Sequence, residues 1–155
     1  MTVTSVTTNN FIKETILFIR DLLTAQVSDP LSGVRSADER FILTGYPERP
    51  VKYPIITIKK ENLSSPERLG FQSELHLISF PVEIRIWARN MAEKDALTQL
   101  VINALRDNQT TLSTGSIQAK LYGFEVVSST DVEEEGLEGI KSCITNVNYK
   151  FILGA

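Results

Sequence analysis

Few side chains in this sequence could do chemistry, and they are scattered. His76 is the only histidine and Cys143 the only cysteine. A His-based metal cluster is therefore excluded, and a Ser-His-Asp triad would depend on His76 alone, with no nucleophile paired to it by spacing. His76 is expected to be a solvent-facing or interface histidine. Cys143 alternates with apolar residues and has no evident activating histidine or helix N-terminus, so it is expected to be a buried structural thiol. The acidic run Asp131, Glu133, Glu134, Glu135 and Glu138 has oxygen ligands suited to Mg²⁺ or Ca²⁺, but not the alternating Asp/Asn spacing of a calcium loop. A solvated turn, a solubilising face or the wall of an aqueous channel is the expected role. No GxGxxG, P-loop or GxSxG occurs. The expectation is a protein that is not an enzyme and takes no cofactor or metal.

Recognition chemistry is concentrated in one stretch, "SFPVEIRIWAR", Ser79 to Arg89. Phe80, Val82, Ile84, Ile86 and Ala88 share one face of a strand, and Pro81, Glu83, Arg85, Trp87 and Arg89 share the other. The first face is expected in a helix-covered core. On the second, Trp87 between Arg85 and Arg89 fits a subunit or partner contact, since Trp and Arg are enriched where proteins bury one another. A solvated outer face is the bland alternative, and a stacking platform for single-stranded nucleic acid is another. The net charge of −3 and pI of about 5.2 give no general attraction for polyanions.

The chain has 155 residues, 42% hydrophobic and 23% charged, which fits a single soluble domain with a real core. "MTVTSVTTNN" lacks the basic and apolar regions of a signal peptide, and no apolar run is long enough to cross a bilayer. Residues 1–9 are expected to be a flexible tail. "NNFIKETILFIRDLLTAQ" reads as a helix capped by Asn9 or Asn10, with Ile12, Ile16, Ile19 and Leu23 as its apolar stripe, widened by Phe11, Phe18 and Leu22. Residues 28–54 form a long proline-tethered connection with a short strand near 41–44. "YPIITIKK", 53–60, is a strand, and 61–74 a loop or hairpin tip with Pro66 and Gly70 as breakers.

The next apolar run continues from Leu75 and Leu77 through Ala88. A single straight strand over 74–89 would be on the order of 50 Å long, more than a domain of this size spans. The expectation is a kink at Pro81, with 60–80 projecting as a hairpin arm paired with 53–60. Asn90 caps a second helix with Glu93 in a capping-box position, and Leu97, Leu100, Val101, Ala104 and Leu105 are its expected buried stripe. Strands follow at 120–132, alternating Tyr122, Phe124 and Val126, and at 140–153, with Cys143, Thr145, Val147, Tyr149, Phe151 and Leu153 on one face. The fold class is α+β: a mostly antiparallel sheet of about four to five strands, two helices packed on one face, and a projecting β-hairpin arm.

In element order this resembles the tail-terminator, or tail-completion, proteins of long-tailed bacteriophages, the lambda-like terminators among them. The resemblance covers about residues 10–153. It rests on the opening amphipathic helix, the "YPxITI" strand Tyr53-Pro54-Ile55-Ile56-Thr57-Ile58, and the insertion after it. The Trp-and-basic strand Val82 to Arg89 follows, then a helix approximating "AxxLxxxIxxAL" (Ala96, Leu100, Asn103-Ala104-Leu105), and two closing strands. It implies a structural virion protein of the tail neck, assembled in the host cytoplasm. Such a protein forms a homo-hexameric ring that caps the tail tube, ends its polymerisation and joins the tail to the head. Its implied partners are further copies of itself, the tail-tube protein, the head-side connector protein and, in a contractile tail, the sheath protein. DNA only passes through the lumen, and no membrane is involved. Within this frame the acidic turn 131–138 is a candidate lumen lining. Leu75, Leu77, Ile78 and Phe80 on the arm, with Arg85, Trp87 and Arg89, are candidate interface residues. A head-closure or adaptor protein of the neck is the alternative role.

Overall fold

The computed structural model describes residues 11–48, 50–61, 67–68, 76–108, 121–133 and 139–153. Along the chain these form α1 (Phe11–Gln26), β1 (Ile42–Leu43), β2 (Ile55–Lys60), β3 (Glu67–Arg68), β4 (His76–Ala88), α2 (Met91–Asp107), β5 (Leu121–Glu133) and β6 (Lys141–Leu153). The main sheet runs β1-β2-β4-β6-β5, and β3 also pairs with β4. Every pairing is antiparallel except the short β1–β2 ladder. The fold is α+β, with both helices on one face of the sheet, as the hydrophobic periodicity requires.

That face is set by alternation on β4. Phe80, Val82, Ile84, Ile86 and Ala88 are all completely buried. Ile56 and Ile58 of β2 lie opposite Ile86 and Ile84, while Val147 and Tyr149 of β6 lie opposite Val82 and Phe80. Phe18, Ile19 and Leu23 of α1 and Leu97, Val101, Ala104 and Leu105 of α2 close the same cluster. Burying one such isoleucine or leucine stabilises the fold by about 1.5–3 kcal/mol.

Two expectations about these elements are corrected, the pairing of the 60–80 segment with 53–60 and the exposure of Phe80. β4 pairs with β6 without interruption from His76↔Leu153 to Ala88↔Lys141, so no break in the ladder falls at Pro81. The segment N-terminal to Pro81 pairs with β6 and β3, while β2 pairs with residues 82–87. Residues 76–80 are therefore part of the main sheet, not an arm paired with 53–60. Phe80, expected on the arm's exposed patch, is in the core. Residues 62–66 and 69–75, including Leu75, lie outside the described residues.

Pro81 is tolerated because of the side its missing donor faces. Its carbonyl accepts from Glu61 N–H at 3.0 Å, so its nitrogen also faces the β2 side. The ladder to β6 loses nothing, and the β2 ladder stops at Lys60↔Val82. A proline at this position ends one partner strand and leaves the other intact.

Both helices bury a slightly different stripe from the one their spacing predicts. On α1, Thr15 is buried and Ile12 is exposed. On α2, Leu100 is 47% exposed, while Lys94 is only 1% exposed. Asn90 caps α2 as predicted, its Oδ1 accepting from Glu93 N–H at 2.9 Å. The Glu93 carboxylate reaches back one residue further than in a capping box, accepting from Arg89 N–H at 3.1 Å. It also pairs with the Arg89 guanidinium at 2.5 Å. These bonds hold the Glu93 carboxyl below its ordinary pKa, with the Arg89 side chain the largest cause and burial opposing it.

Candidate functional site on the Trp87 face and the sheet edges

On the face of β4 opposite the core, Trp87 is only 7% exposed. The cover comes from within the chain. The Tyr46 ring, from the long connection, lies 5.0 Å from the indole at a tilt of 56°, and the Arg85 guanidinium sits 4.3 Å over it. Tyr46 is held there by a 2.6 Å hydroxyl contact with Tyr53. Burial, followed by that bond, pushes the Tyr53 hydroxyl up to about 12. The connection is itself pinned by Arg35, which pairs with Asp29 at 2.7 Å and donates to the carbonyls of Lys52 and Pro54. The 28–54 segment therefore acts as a fixed cover over this end of the sheet. A stacking platform needs an open aromatic face, and Trp87 does not offer one. Its indole Nε1 is buried and has no hydrogen-bond partner among the described residues.

The remaining predicted residues fall in different places. Arg89 is exposed and committed to Glu93. Leu77 and Ile78 lie on β4 beside β6, and their side chains lie outside the described residues. Asp131 belongs to strand β5, not to a turn, and reaches Lys94 Nζ at 2.7 Å. Glu133 ends the same strand and is exposed, while Glu134, Glu135 and Glu138 lie outside the described residues. The acidic residues expected to line a channel are thus divided, with at least one carboxylate spent on an ion pair within the fold. His76 opens β4, and its side chain is likewise not described. Cys143 is buried, its Sγ 3.3 Å from Ser129 Oγ. Among the described residues no group of three or more His, Cys, Asp or Glu could hold a metal ion, and no helix is long and apolar enough to cross a membrane.

No protein-family model matches this chain, and no curated protein matches it. Function has to be argued from the geometry.

Two concave regions stand out. A polar cleft of about 400 Å³ lies between α1 and β1, with Arg20, Asp21, Asp29 and Arg40 on its walls. Its charges are of both signs, and Arg20 is already held by Asp21 at 2.9 Å. The second is a groove of about 510 Å³ beside β2, with Ile12, Ile16, Leu17, Thr44 and the fully buried Ile58 in its lining. The exposed Lys13, Lys59 and Lys60 also line it. β1 covers only Ile56 and Thr57 of β2, so among the described residues no strand flanks the outer side of Ile58–Lys60. At the other end of the sheet β5 is also an edge, since its only strand partner among the described residues is β6. There Val127 is 62% exposed and Val126 39%. The β5–β6 register shifts between Val126↔Val147 and Ser128↔Asn146, so Val127 is the extra residue of a bulge.

Sequence reasoning did not reach these edges. Strand order decides which strands are outermost, and local periodicity carries no strand order. The adjacent valines Val126-Val127, which break the alternation of β5, were the one available signal.

Proposed function

We propose that this protein is a structural subunit that assembles into a homo-hexameric ring at the neck of a phage tail. There it caps the tail tube, ends tube polymerisation and joins the tail to the head connector. The observation that carries this reading is the pair of sheet edges without a strand partner among the described residues: Ile58–Lys60 of β2 beyond short β1, with its groove, on one side and β5 with its exposed valines on the other. Two different surfaces on opposite sides of one subunit are what head-to-tail ring assembly requires, whereas a two-fold dimer needs one self-complementary patch. The element order that resembles tail terminators supports the same reading. The cover over Trp87 favours a protein-assembly role over nucleic-acid binding.

The test is sedimentation velocity and negative-stain microscopy of the purified protein, alone and with purified tail-tube protein. A species of six times the 17.3 kDa chain mass, imaged as a six-fold ring, is the expected result. A chain that stays monomeric at high concentration with tube protein present overturns the proposal.

A further inference from the structure

We infer that the subunit contact is a join between the two open edges: the Glu125–Val127 bulge of one copy seats in the β2 groove of the next. The inference rests on the ring reading above and identifies the surfaces that make the ring. The occupant of the groove is a second copy of this chain, and charge complementarity selects it. β2 (IITIKK) carries two lysines and no acid, with exposed Lys13 of α1 beside it. β5 (LYGFEVVSSTDVE) carries three acids and no base; Asp131 is held by Lys94 and Glu133 lies opposite Lys141, which leaves Glu125 at the bulge as the acid available to the join.

The faces also match. Ile58 and Lys60 point to the helix-covered side of the sheet and Lys59 to the other, as their partners Ile84, Val82 and Glu83 fix. On β5, Val126 lies opposite the buried Val147, hence on the helix-covered side, while Glu125 lies opposite Asn148 on the other. Continuing one sheet into the next brings Val126 toward the apolar Ile12, Ile16 and Leu17 of the groove and Glu125 toward Lys59, with the bulged Val127 at the seam. Symmetric alternatives set like against like. Two β2 edges would bring lysines together and two β5 edges would bring carboxylates together, and each arrangement is disfavoured by repulsion. Only the head-to-tail join satisfies both edges, and a repeated head-to-tail join with a closing rotation gives a ring. The bulge on β5 gives the edge a shaped knob, which limits indiscriminate pairing with other strands.

The experiment uses two charge-reversed full-length variants, Lys59→Glu/Lys60→Glu and Glu125→Lys, examined by sedimentation velocity. All three side chains are exposed, but Lys59 lies opposite Glu83, so circular dichroism and Trp87 emission are checked against wild type and Lys60→Glu alone replaces the double variant if the latter does not fold. Each variant alone should assemble at least ten-fold more weakly than wild type. An equimolar mixture should recover assembly as alternating rings containing both chains, because reversed β2 then meets reversed β5 and the native edges meet each other. If wild type forms rings and the variants assemble as well as it does, the edge join is overturned while the ring reading stands. Variants that fail alone and also fail when mixed overturn the join as well. A wild-type chain that forms no ring with tube protein overturns both.

Discussion

Lys94 offers the sharpest test of how this fold is held together. Its side chain is 1% exposed, yet its ammonium lies 2.7 Å from Asp131 of β5 and 3.4 Å from Asp95, whose side chains are 62% and 70% exposed. Burial alone would pull the lysine pKa down, but the two carboxylates more than reverse it and leave it above the ordinary lysine value. A folded pKa raised in this way gives stability that is present below the unfolded pKa and lost only as pH climbs through the folded one, so stability from this pair is flat near neutrality. Breaking a fully buried pair costs about 3–5 kcal/mol, while an exposed pair is worth about 0.2–1. Here the cation is buried and the anions are wet, so Asp131→Asn should cost about 1–2 kcal/mol, between those limits. Lys94→Met removes the charge but keeps the buried stem, and should fall within about 1 kcal/mol of wild type. Urea unfolding followed through Trp87, the only tryptophan, reads both. With a urea slope of about 2 kcal/mol/M, Asp131→Asn lowers the midpoint by roughly 0.5–1 M. The double variant should match Lys94→Met alone. A Lys94→Met variant less stable than Asp131→Asn would refute this reasoning, because the cost would then lie in lost lysine contacts rather than in a stranded charge.

Other consequences can be read with the same protein. Asn90→Ala should cost about 1 kcal/mol by removing the α2 cap, measured as a lower urea midpoint with unchanged slope. Tyr46→Ala should uncover Trp87, shifting its emission to the red and raising acrylamide quenching, with a loss of about 0.5–1.5 kcal/mol from the ring pair. Glu83 has its carboxyl pKa raised, by burial first and then by the hydrogen bond and charge of Glu61. Its ionisation therefore opposes folding: the favourable balance is complete below the unfolded pKa and is lost as pH rises through the folded one. Glu83→Gln should accordingly be more stable than wild type at pH 7, and the gap should close as pH falls below the carboxylate range, as unfolding midpoints across pH would record.

Where the fold was legible in the sequence, a single period carried it. Alternation on 80–88 fixed the core face of β4, and Asn90 with Glu93 fixed the start of α2. The errors came from long-range partners. Nothing local says that His76–Pro81 lies against residues 148–153, so the run looked too long for the body and was read as an arm. Spacing places Leu100 in the buried stripe and leaves Lys94 off it. The long aliphatic stem of a lysine can be buried wherever its ammonium finds a carboxylate, and Asp131 lies 37 positions further along the chain. Trp87 was marked as a subunit or partner contact, and in the described structure the ring it meets is Tyr46 of the same chain. The sheet edges depend on strand order and were invisible from any one segment.

Pro81 has a consequence for how the chain finds its register. Sliding β2 by one residue along β4 would move every apolar side chain to the polar face, so patterning forbids it. A slide by two residues keeps the faces in order, and patterning is nearly blind to it. Pro81 is not blind to it. In the native register its donorless nitrogen faces Glu61, just past the last pair of the ladder; moved opposite Lys59 it would leave a carbonyl within the ladder unbonded, a loss of about 1 kcal/mol. The proline thus acts as a gauge stop against even-numbered slips that would carry it into the β2 ladder. It sets the length of the β2 ladder, and with it the position of Lys59 and Lys60 along the sheet.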